Sequence, residues 1–255
     1  MSASTVGRTV LVIASVVGFV AAASWVLVQP SAPHKHVEVA LVFDPSLSID
    51  DPCHGTEEIG RGLIALAAGR PLTVHPVYMT DKKVDGLGQM VADIKLERSV
   101  TGFEGEEDRR RRAASFLSKL VKTCADAPRR KWSPVLGAVD VGLKDLRTHG
   151  CGQPGATCLL VVKSDGLENV DRALVARLAG KKISAGPRLQ VDELDRVIFC
   201  DLGRRAPGGR NVPALDATMG AWRSELTTDA RAVLAPACNE DLFNQPVRTA
   251  AARLK

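Results

Sequence analysis

The sequence predicts an α/β domain with a doubly wound, mostly parallel sheet and helices on both faces, preceded by one N-terminal transmembrane helix. From residue 37 onward, strand-like apolar runs alternate with longer amphipathic segments. Such alternation is typical of a parallel sheet covered by helices. The runs are apolar almost throughout, which indicates strands buried on both faces. An uncharged segment before residue 37 predicts the transmembrane helix.

Four strands and five helices are predicted in this domain. The strands are Val37–Phe43, Leu72–Met79 (interrupted by Pro76), Cys158–Val162 and Val197–Leu202. The helices are Glu57–Ala68, Glu106–Cys124, Pro134–Thr148, Val170–Ala179 and Ala217–Leu234. In the last helix, apolar residues recur at helical spacing from Met219 to Ala230, as residues facing a core would. No repeat or shift in composition marks a second domain, so we expect one domain over residues 37–238 and a tail over residues 239–255.

The apolar N-terminal segment predicts insertion into a membrane. The residues from Thr9 to Val28 carry no charge, and a helix of about 20 residues spans a hydrocarbon core of roughly 30 Å. Arg8 precedes this segment, which favours a cytoplasmic N-terminus. We expect residues 1–8 in the cytoplasm, an anchor over residues 9–29 and a polar linker over residues 30–36, followed by an exported, periplasmic domain.

A cleaved signal peptide is the alternative, with Ala21–Ser24 as a small-residue cleavage site. The apolar run continues through Val28, whereas the apolar core of a signal peptide usually has about 7–15 residues. The retained anchor is therefore the favoured prediction.

The six cysteines agree with export, because all of them follow the apolar segment and their number is even. Cys151 and Cys158 lie close together around GQPGAT, which indicates a locally closed loop. One full set of pairings adds Cys53–Cys124 and Cys200–Cys238, and a fully reduced set of buried cysteines is the alternative. Structural zinc is disfavoured, since no CxxC occurs and the five histidines are scattered along the sequence.

The charge pattern does not favour nucleic acid as a partner. The net charge is only +5 and aromatic residues make up 4% of the chain, so few side chains can stack on bases. The arginine-rich stretch Glu104–Phe116 begins with acidic residues. Acids in the first turn of a helix and acid–base pairs four residues apart indicate a solvated helix face.

Oxygen-bearing side chains follow two predicted strands, at the points where each strand ends. They are Asp44, Ser46 and Ser48 after the first strand, and Ser164 and Asp165 after the strand CLLVV. Ser133 precedes Pro134, which is typical of a helix N-cap followed by proline at the first helical position. Ligands of a doubly wound sheet bind beyond the carboxyl ends of its strands, so we expect these residues to share one site.

This pattern resembles the von Willebrand factor A (vWA) domain family, which has a Rossmann-like fold and a metal-ion-dependent adhesion site. The family's site has D-x-S-x-S after a strand, a Thr or Ser opening a helix, and [ST]-D-G after a later strand. The chain has DPSLS, SPVLGA and KSDG in that order, and the resemblance covers Val37 to Leu234. Ser133 stands where threonine is commoner and keeps the hydroxyl, while Pro45 and Leu47 occupy the spacer positions.

The resemblance implies a divalent-cation site at Asp44, Ser46, Ser48, Ser133 and Asp165. By the family's pattern, the two serines of DPSLS bind the ion directly, and Ser133 binds directly or through water. The two aspartates bind through water or hold the hydroxyls. Hard oxygen donors suit Mg²⁺ or Mn²⁺. Asp50 and Asp51 follow closely and are treated as rim residues.

The resemblance also implies binding of a protein rather than catalysis. A cation with few direct carboxylate ligands stays electron-poor, so an Asp or Glu of a partner can complete its coordination. A short linker, at no more than ~3.5 Å per residue, keeps the domain near the bilayer, which favours another envelope or membrane protein as the partner. The alternative is a structural subunit of a cell-envelope complex whose metal site is idle.

Enzyme motifs do not support a catalytic function. A haloacid dehalogenase-like phosphatase needs a second acid two residues after the first aspartate, where this chain has Ser46. Neither the G-x-S-x-G of serine hydrolases nor the G-x-x-x-x-G-K-[ST] of nucleotide-binding loops occurs.

Overall fold

The computed structural model describes residues 36–80, 88–97, 105–183, 186–203, 215–227 and 231–244. The predicted anchor, the residues before it and the linker up to residue 35 lie outside this part of the chain. None of the helices in the described ranges is both long and apolar enough to cross a membrane.

The described strands form one sheet. They are β1 (His36–Phe43), β2 (Leu72–Met79), β3 (Gly88–Met90), β4 (Ile94–Leu96), β5 (Ala156–Lys163), β6 (Arg196–Cys200) and β7 (Ala232–Leu234). Their order is β3-β2-β1-β5-β6-β7, with β4 also paired to β2. The strands from β2 to β7 along this order are parallel, and β3 and β4 are antiparallel to β2. The predicted mostly parallel sheet is confirmed.

Helices cover both faces of this sheet. They are α1 (Thr56–Ala67), α2 (Glu106–Ala125), α3 (Val135–Thr148), α4 (Arg172–Leu178) and α5 (Leu215–Arg223), followed by a short 3₁₀ helix, Glu240–Phe243. Alternate residues of β1 point to opposite faces. Leu41 packs in a core with residues of α1 and α2, and Val42 packs in a second core with residues of α3, α4 and α5.

Helix α2 is solvated along much of its first half, as predicted. Its arginines pair with acids one turn earlier, in the exposed pairs Glu106–Arg110 and Glu107–Arg111. Only Phe116, Leu120 and Cys124 of this helix are buried. Arg109, Arg110 and Arg111 therefore have acidic partners within their own helix, whereas Arg112 donates a hydrogen bond to the carbonyl oxygen of Glu97.

The predicted last helix, Ala217–Leu234, is wrong in its second half. Helix α5 ends at Arg223, and Ala232–Leu234 form β7, the edge strand beside β6. Leu226 is buried, but it forms a β-bridge with Leu189 instead of continuing the helix. Leu226 is thus buried against a loop, yet its position in the sequence is the one expected of a residue on the buried face of a helix.

Sequence patterns did not predict β3 and β4, and they predicted an interruption of β2 at Pro76. These two strands have three residues each, too few to show an alternating pattern. Strand β2 continues through Pro76, whose carbonyl accepts a hydrogen bond from Val91 on the β3–β4 side. In a strand, the N–H and C=O of one residue point toward the same neighbouring strand. The N–H that proline lacks would therefore point toward the residues between β3 and β4, so neither of these two strands loses a hydrogen bond to β2.

All six cysteines are paired in disulfide bonds. The bonds are Cys53–Cys124, Cys151–Cys158 and Cys200–Cys238. This is one of the sets that the sequence left open, and the fully reduced alternative is wrong. The first joins the segment after β1 to the end of α2. The third joins the end of β6 to residues just before the 3₁₀ helix, whose Phe243 is buried, so the packed core extends beyond Cys238.

The order of the strands reverses at β1. The chain passes from β1 to β2 on one side, and β5 later pairs with the other side of β1. In doubly wound sheets, the loops that leave such a switch point diverge and form a crevice in which ligands bind. Phe43 of β1 lies opposite Lys163 of β5, so Asp44 and Ser164 leave the sheet at the same edge.

Candidate metal centre

Asp44 is the centre of a hydrogen-bond network beyond the carboxyl ends of β1 and β5. It is 2% exposed. Its Oδ2 accepts hydrogen bonds from Ser133 Oγ at 2.8 Å and from Ser164 Oγ at 2.6 Å. Its Oδ1 accepts a hydrogen bond from the backbone N–H of Ser46 at 3.0 Å. Three segments that are distant in sequence therefore meet at one carboxylate.

The electrostatics of Asp44 favour a nearby cation. Burial raises the pKa of Asp44 above its usual value, although hydrogen bonds from Ser164, Ser133 and Ser46 lower it. The groups that stabilise the carboxylate are thus neutral donors, and they do not offset the loss of solvation. A bound cation would supply the missing positive charge.

The two serines of DPSLS lie side by side, with their Oγ atoms 2.7 Å apart. Ser46 is buried and Ser48 is partly exposed, so the pair extends from Asp44 toward solvent. Leu47, between them, points outward and is 55% exposed. The pattern D-x-S-x-S therefore places its polar side chains together and its spacer on the surface.

The loop that carries these serines is held by the segment before α3. Arg129 donates hydrogen bonds to the carbonyl oxygens of Ser46 at 3.1 Å and Asp50 at 3.2 Å. The N–H of Leu47 donates to the carbonyl of Arg130 at 2.8 Å. These main-chain contacts fix the loop without using the serine hydroxyls.

Ser133 does not cap α3, contrary to the prediction. Its hydroxyl donates to Asp44 instead, and α3 begins at Val135. Glu168 accepts from the N–H of Leu136 in the first turn of this helix, at 2.8 Å. The buried carboxylate of Glu168 thus satisfies the helix end, which leaves Ser133 for the site.

Asp165 lies in a tight turn after β5. It is fully buried, and its Oδ1 accepts a hydrogen bond from the N–H of Leu167 at 3.0 Å. Gly166 has φ +80°, and a Cβ there would approach Leu202 to 2.7 Å and Thr218 to 2.8 Å. The glycine of KSDG is therefore required by both its backbone conformation and its close packing.

Distances within the site join Asp44, Ser46, Ser48 and Ser133, and Asp165 is buried at the same edge of the sheet. We call these five residues the Asp44 site. Their hydroxyl and carboxylate oxygens are a donor set that fits Mg²⁺ or Mn²⁺. That they bind a cation stays a prediction.

Three residues that build this site were not predicted from the sequence. They are Arg129, Glu168 and Asn169, whose Oδ1 accepts from the N–H of Ser133 at 2.7 Å. Ser164 was expected at this edge of the sheet but not among the metal ligands, and it contacts Asp44. The other three act on residues distant in sequence, and no local spacing indicates such contacts.

Comparison with known proteins gives little beyond this geometry. No protein-family model and no curated protein matches the chain. Among solved structures, the crystal structure of manganese-loaded Plasmodium vivax TRAP protein is similar, with 19% sequence identity and a TM-score of 0.43. The match covers 84% of this chain and 73% of that chain. Similarity at this level assigns neither a family nor a function.

Proposed function

We propose that this chain is a membrane-anchored, extracytoplasmic vWA-like domain that binds a protein partner through Mg²⁺ or Mn²⁺ at the Asp44 site. The observation that carries the proposal is the convergence of serine side chains from separate segments on one buried carboxylate. A hydroxyl that donates its hydrogen to a carboxylate keeps its lone pairs for a cation. Asp44 can therefore orient the hydroxyl of Ser133 as a ligand without binding the ion itself.

The residues of the Asp44 site would have the metal-binding roles that the motif implies. Ser46 and Ser48 would bind the ion directly, and Ser133 directly or through water. Asp44 and Asp165 would bind through water or hold the hydroxyls. The bound cation would supply a coordination position for a carboxylate oxygen of the partner's Asp or Glu.

The surface around the site has apolar and basic side chains that would contact an acidic and apolar partner segment, and it also carries the exposed rim acids Asp50 and Asp51. Leu47 is 55% exposed and Trp132 is 40% exposed, beside the basic residues Arg130 and Lys131. Exposed apolar side chains supply contact area at an interface. Basic neighbours attract an acidic segment and favour its correct orientation.

The membrane anchor over residues 9–29 and the periplasmic location belong to the same proposal. Three disulfide bonds within the domain support an oxidising compartment, because disulfides rarely persist in the cytosol. The partner would then be an envelope or membrane protein within reach of the short linker.

Metal binding is tested first, on the full chain in detergent. We expect Mn²⁺ titration to show one site at which Mg²⁺ competes, and expect Ser46→Ala or Asp165→Ala to weaken binding at least about 10-fold. Ser118→Ala, in the exposed face of α2, is the matched control. Unchanged Mn²⁺ affinity in both site variants would contradict the proposed ligand set.

Partner binding is tested next, by capture from solubilised membranes in Mg²⁺, in EDTA, and in EDTA followed by excess Mg²⁺. The proposal expects one protein that is lost in EDTA, regained with Mg²⁺ and not captured by Ser46→Ala. A complex that survives EDTA and the substitution would instead identify a structural subunit with an idle metal site.

A further inference from the structure

A second group of metal-binding side chains lies toward the opposite end of the sheet from the Asp44 site. Glu38 is near the start of β1, whereas Asp44 follows its end. Six residues of strand separate them, or roughly 20 Å. His75 is in β2, Asp93 is between β3 and β4, and the remaining two residues come from the C-terminal end of α3. We call Glu38, His75, Asp93, Asp145 and His149 the His75 cluster.

The donor atoms of four side chains in this cluster lie close to one another in pairs. His75 Nδ1 lies 3.0 Å from Asp93 Oδ1 and 3.2 Å from Asp145 Oδ2. His149 Nδ1 lies 3.4 Å from the same oxygen of Asp145. The imidazole rings of His75 and His149 are adjacent, with centroids 4.2 Å apart. The donor atoms of His75, Asp93 and His149 all lie within 4.8 Å of one another.

Three of the distances between donor atoms in this cluster are close to those of a tetrahedral zinc site. Zinc binds imidazole nitrogen and carboxylate oxygen at about 2.0–2.2 Å, so adjacent donors in a tetrahedron lie roughly 3.4 Å apart. Neighbouring donors in the His75 cluster are 3.0 to 3.4 Å apart.

Glu38 determines which nitrogen of His75 faces the group. Its Oε2 lies 2.7 Å from His75 Nε2, and a carboxylate there accepts the N–H of that nitrogen. A metal-binding histidine commonly donates its other N–H to a carboxylate in this way. In the neutral ring, the lone pair of Nδ1 then faces the carboxylates of Asp93 and Asp145, which are also acceptors. Either a metal ion or a second proton on His75 would satisfy these acceptors.

Asp145 provides a second, independent observation. Its Oδ2 is inaccessible to solvent and accepts no hydrogen bond from the residues that the structure describes. Burial of an unsatisfied carboxylate oxygen is costly. The same oxygen is the one that lies close to both histidine rings, so a ligand at this point would satisfy it.

The cluster is open to an ion from solvent on one side. His75 is fully buried, whereas the side chains of Asp93 and His149 are 35% and 41% exposed. His149 Nδ1 also lies 3.0 Å from the carbonyl oxygen of Asp145. Because its ring is at the surface, it can exchange this contact for the ion.

We propose that His75, Asp93, Asp145 and His149 bind a zinc ion, with Glu38 orienting His75. Two imidazoles and two carboxylates suit zinc better than magnesium. Four protein ligands make a closed, structural site. The ion would join the end of α3 to β2 and to the β3–β4 connection, and it would be separate from the cation of the Asp44 site.

A proton on His75 is the competing occupant of this position. Burial is the largest influence and lowers the pKa of His75, but the hydrogen bond to Glu38 and the charges of Asp145 and Asp93 together raise it above its usual value. Zinc and a proton would therefore compete for Nδ1.

The test uses the full chain in detergent, stripped of metal and titrated with Zn²⁺ and Co²⁺ in excess Mg²⁺. We expect one site, the absorption spectrum of tetrahedral Co²⁺, and a higher melting temperature with Zn²⁺. His149→Ala should weaken binding at least about 10-fold. Because His149 is at the surface, this variant is expected to fold. His54→Ala, at another exposed histidine, is the control and should bind normally.

The outcomes separate this site from the Asp44 site. Ser46→Ala should leave Zn²⁺ binding unchanged, and His149→Ala should leave Mn²⁺ binding unchanged. No Zn²⁺ binding, or equal binding by His149→Ala and the unaltered chain, would overturn the proposal. A His75 that stays doubly protonated by NMR in the presence of Zn²⁺ would also overturn it and would identify the proton as the occupant.

Discussion

At the residue scale, the hydroxyl of Ser164 connects the two central strands at their carboxyl ends. It donates to Asp44 at 2.6 Å and accepts from the N–H of Gly166 at 3.0 Å. It thus stabilises the carboxylate after β1 and the turn after β5 at the same time. Both bonds are buried, so neither group can turn to water if the hydroxyl is removed.

We expect Ser164→Ala to lower the free energy of unfolding by about 1–3 kcal/mol, because a buried carboxylate loses a donor. Urea unfolding of the metal-free protein measures this change. Ser118→Ala, at an exposed position, should shift the free energy by no more than about 0.5 kcal/mol. Equal effects of the two substitutions would show that Ser164 does not stabilise Asp44.

Glu168 is a second buried carboxylate with a structural role. One of its oxygens accepts from the N–H of Leu136, and the other accepts from Val170 at 2.7 Å and Asp171 at 3.1 Å. Burial raises the pKa of Glu168, although these three hydrogen bonds lower it. The folded state therefore holds a proton at Glu168 more tightly than the unfolded state does.

A pH dependence follows, because a raised pKa makes ionisation of Glu168 destabilise the fold. As pH rises from about 4 through the raised value, the unaltered chain should lose stability relative to Glu168→Gln, which does not ionise. Urea unfolding of both proteins in EDTA, over a series of pH values, measures the difference. A difference that changes in the opposite direction would mean that the three N–H donors outweigh burial.

At the element scale, α1 packs through two glycines that allow close approach of its neighbours. A Cβ at Gly60 would lie 2.5 Å from Leu117 Cδ2 of α2. A Cβ at Gly62 would overlap the ring of Phe243, the buried residue of the 3₁₀ helix. Glycine weakens a helix by roughly 1 kcal/mol relative to alanine, so packing must offset this cost here.

A matched pair of substitutions separates packing from helix propensity. Gly62→Ala should destabilise the domain by about 1–3 kcal/mol through overpacking against Phe243. Gly220→Ala, in α5, should stabilise it by up to about 1 kcal/mol, because Gly220 is exposed and nothing lies within 4 Å of its added Cβ. Thermal unfolding of both variants measures the two signs, and stabilisation by Gly62→Ala would contradict the packing argument.

At the scale of the whole molecule, the three disulfide bonds close loops of very different length. Cys53–Cys124 spans a sequence separation of 71 residues, and Cys151–Cys158 a separation of 7. In the chain-entropy account, a longer loop restricts the unfolded chain more. Cys124 and Cys158 are both buried, so replacing either pair with serine places one hydroxyl in the interior.

We therefore expect loss of the longer bond to be the more costly. The double variant Cys53→Ser/Cys124→Ser should lose about 4 kcal/mol of stability, against about 2 kcal/mol for Cys151→Ser/Cys158→Ser. Guanidinium unfolding of both variants under oxidising conditions gives the comparison. A larger loss from the shorter loop would show that effects within the native state dominate.

Local patterns were enough to predict much of this protein. Apolar runs identified β1, β2, β5 and β6, because strands buried on both faces are apolar without interruption. Periodicity identified α1, α2 and α3 to within two residues at each end. DPSLS and KSDG also indicated which strand ends carry the Asp44 site, because a motif keeps its ligands a few residues apart.

Only the tertiary structure decided the contacts between distant segments. The hydroxyl of Ser133 donates to Asp44 across 89 positions of sequence, although its local pattern is that of a helix cap. Histidines that look scattered in the sequence become neighbours, because β2 packs beside the end of α3. Local spacing cannot report such pairs, since the order of strands in the sheet determines which residues meet.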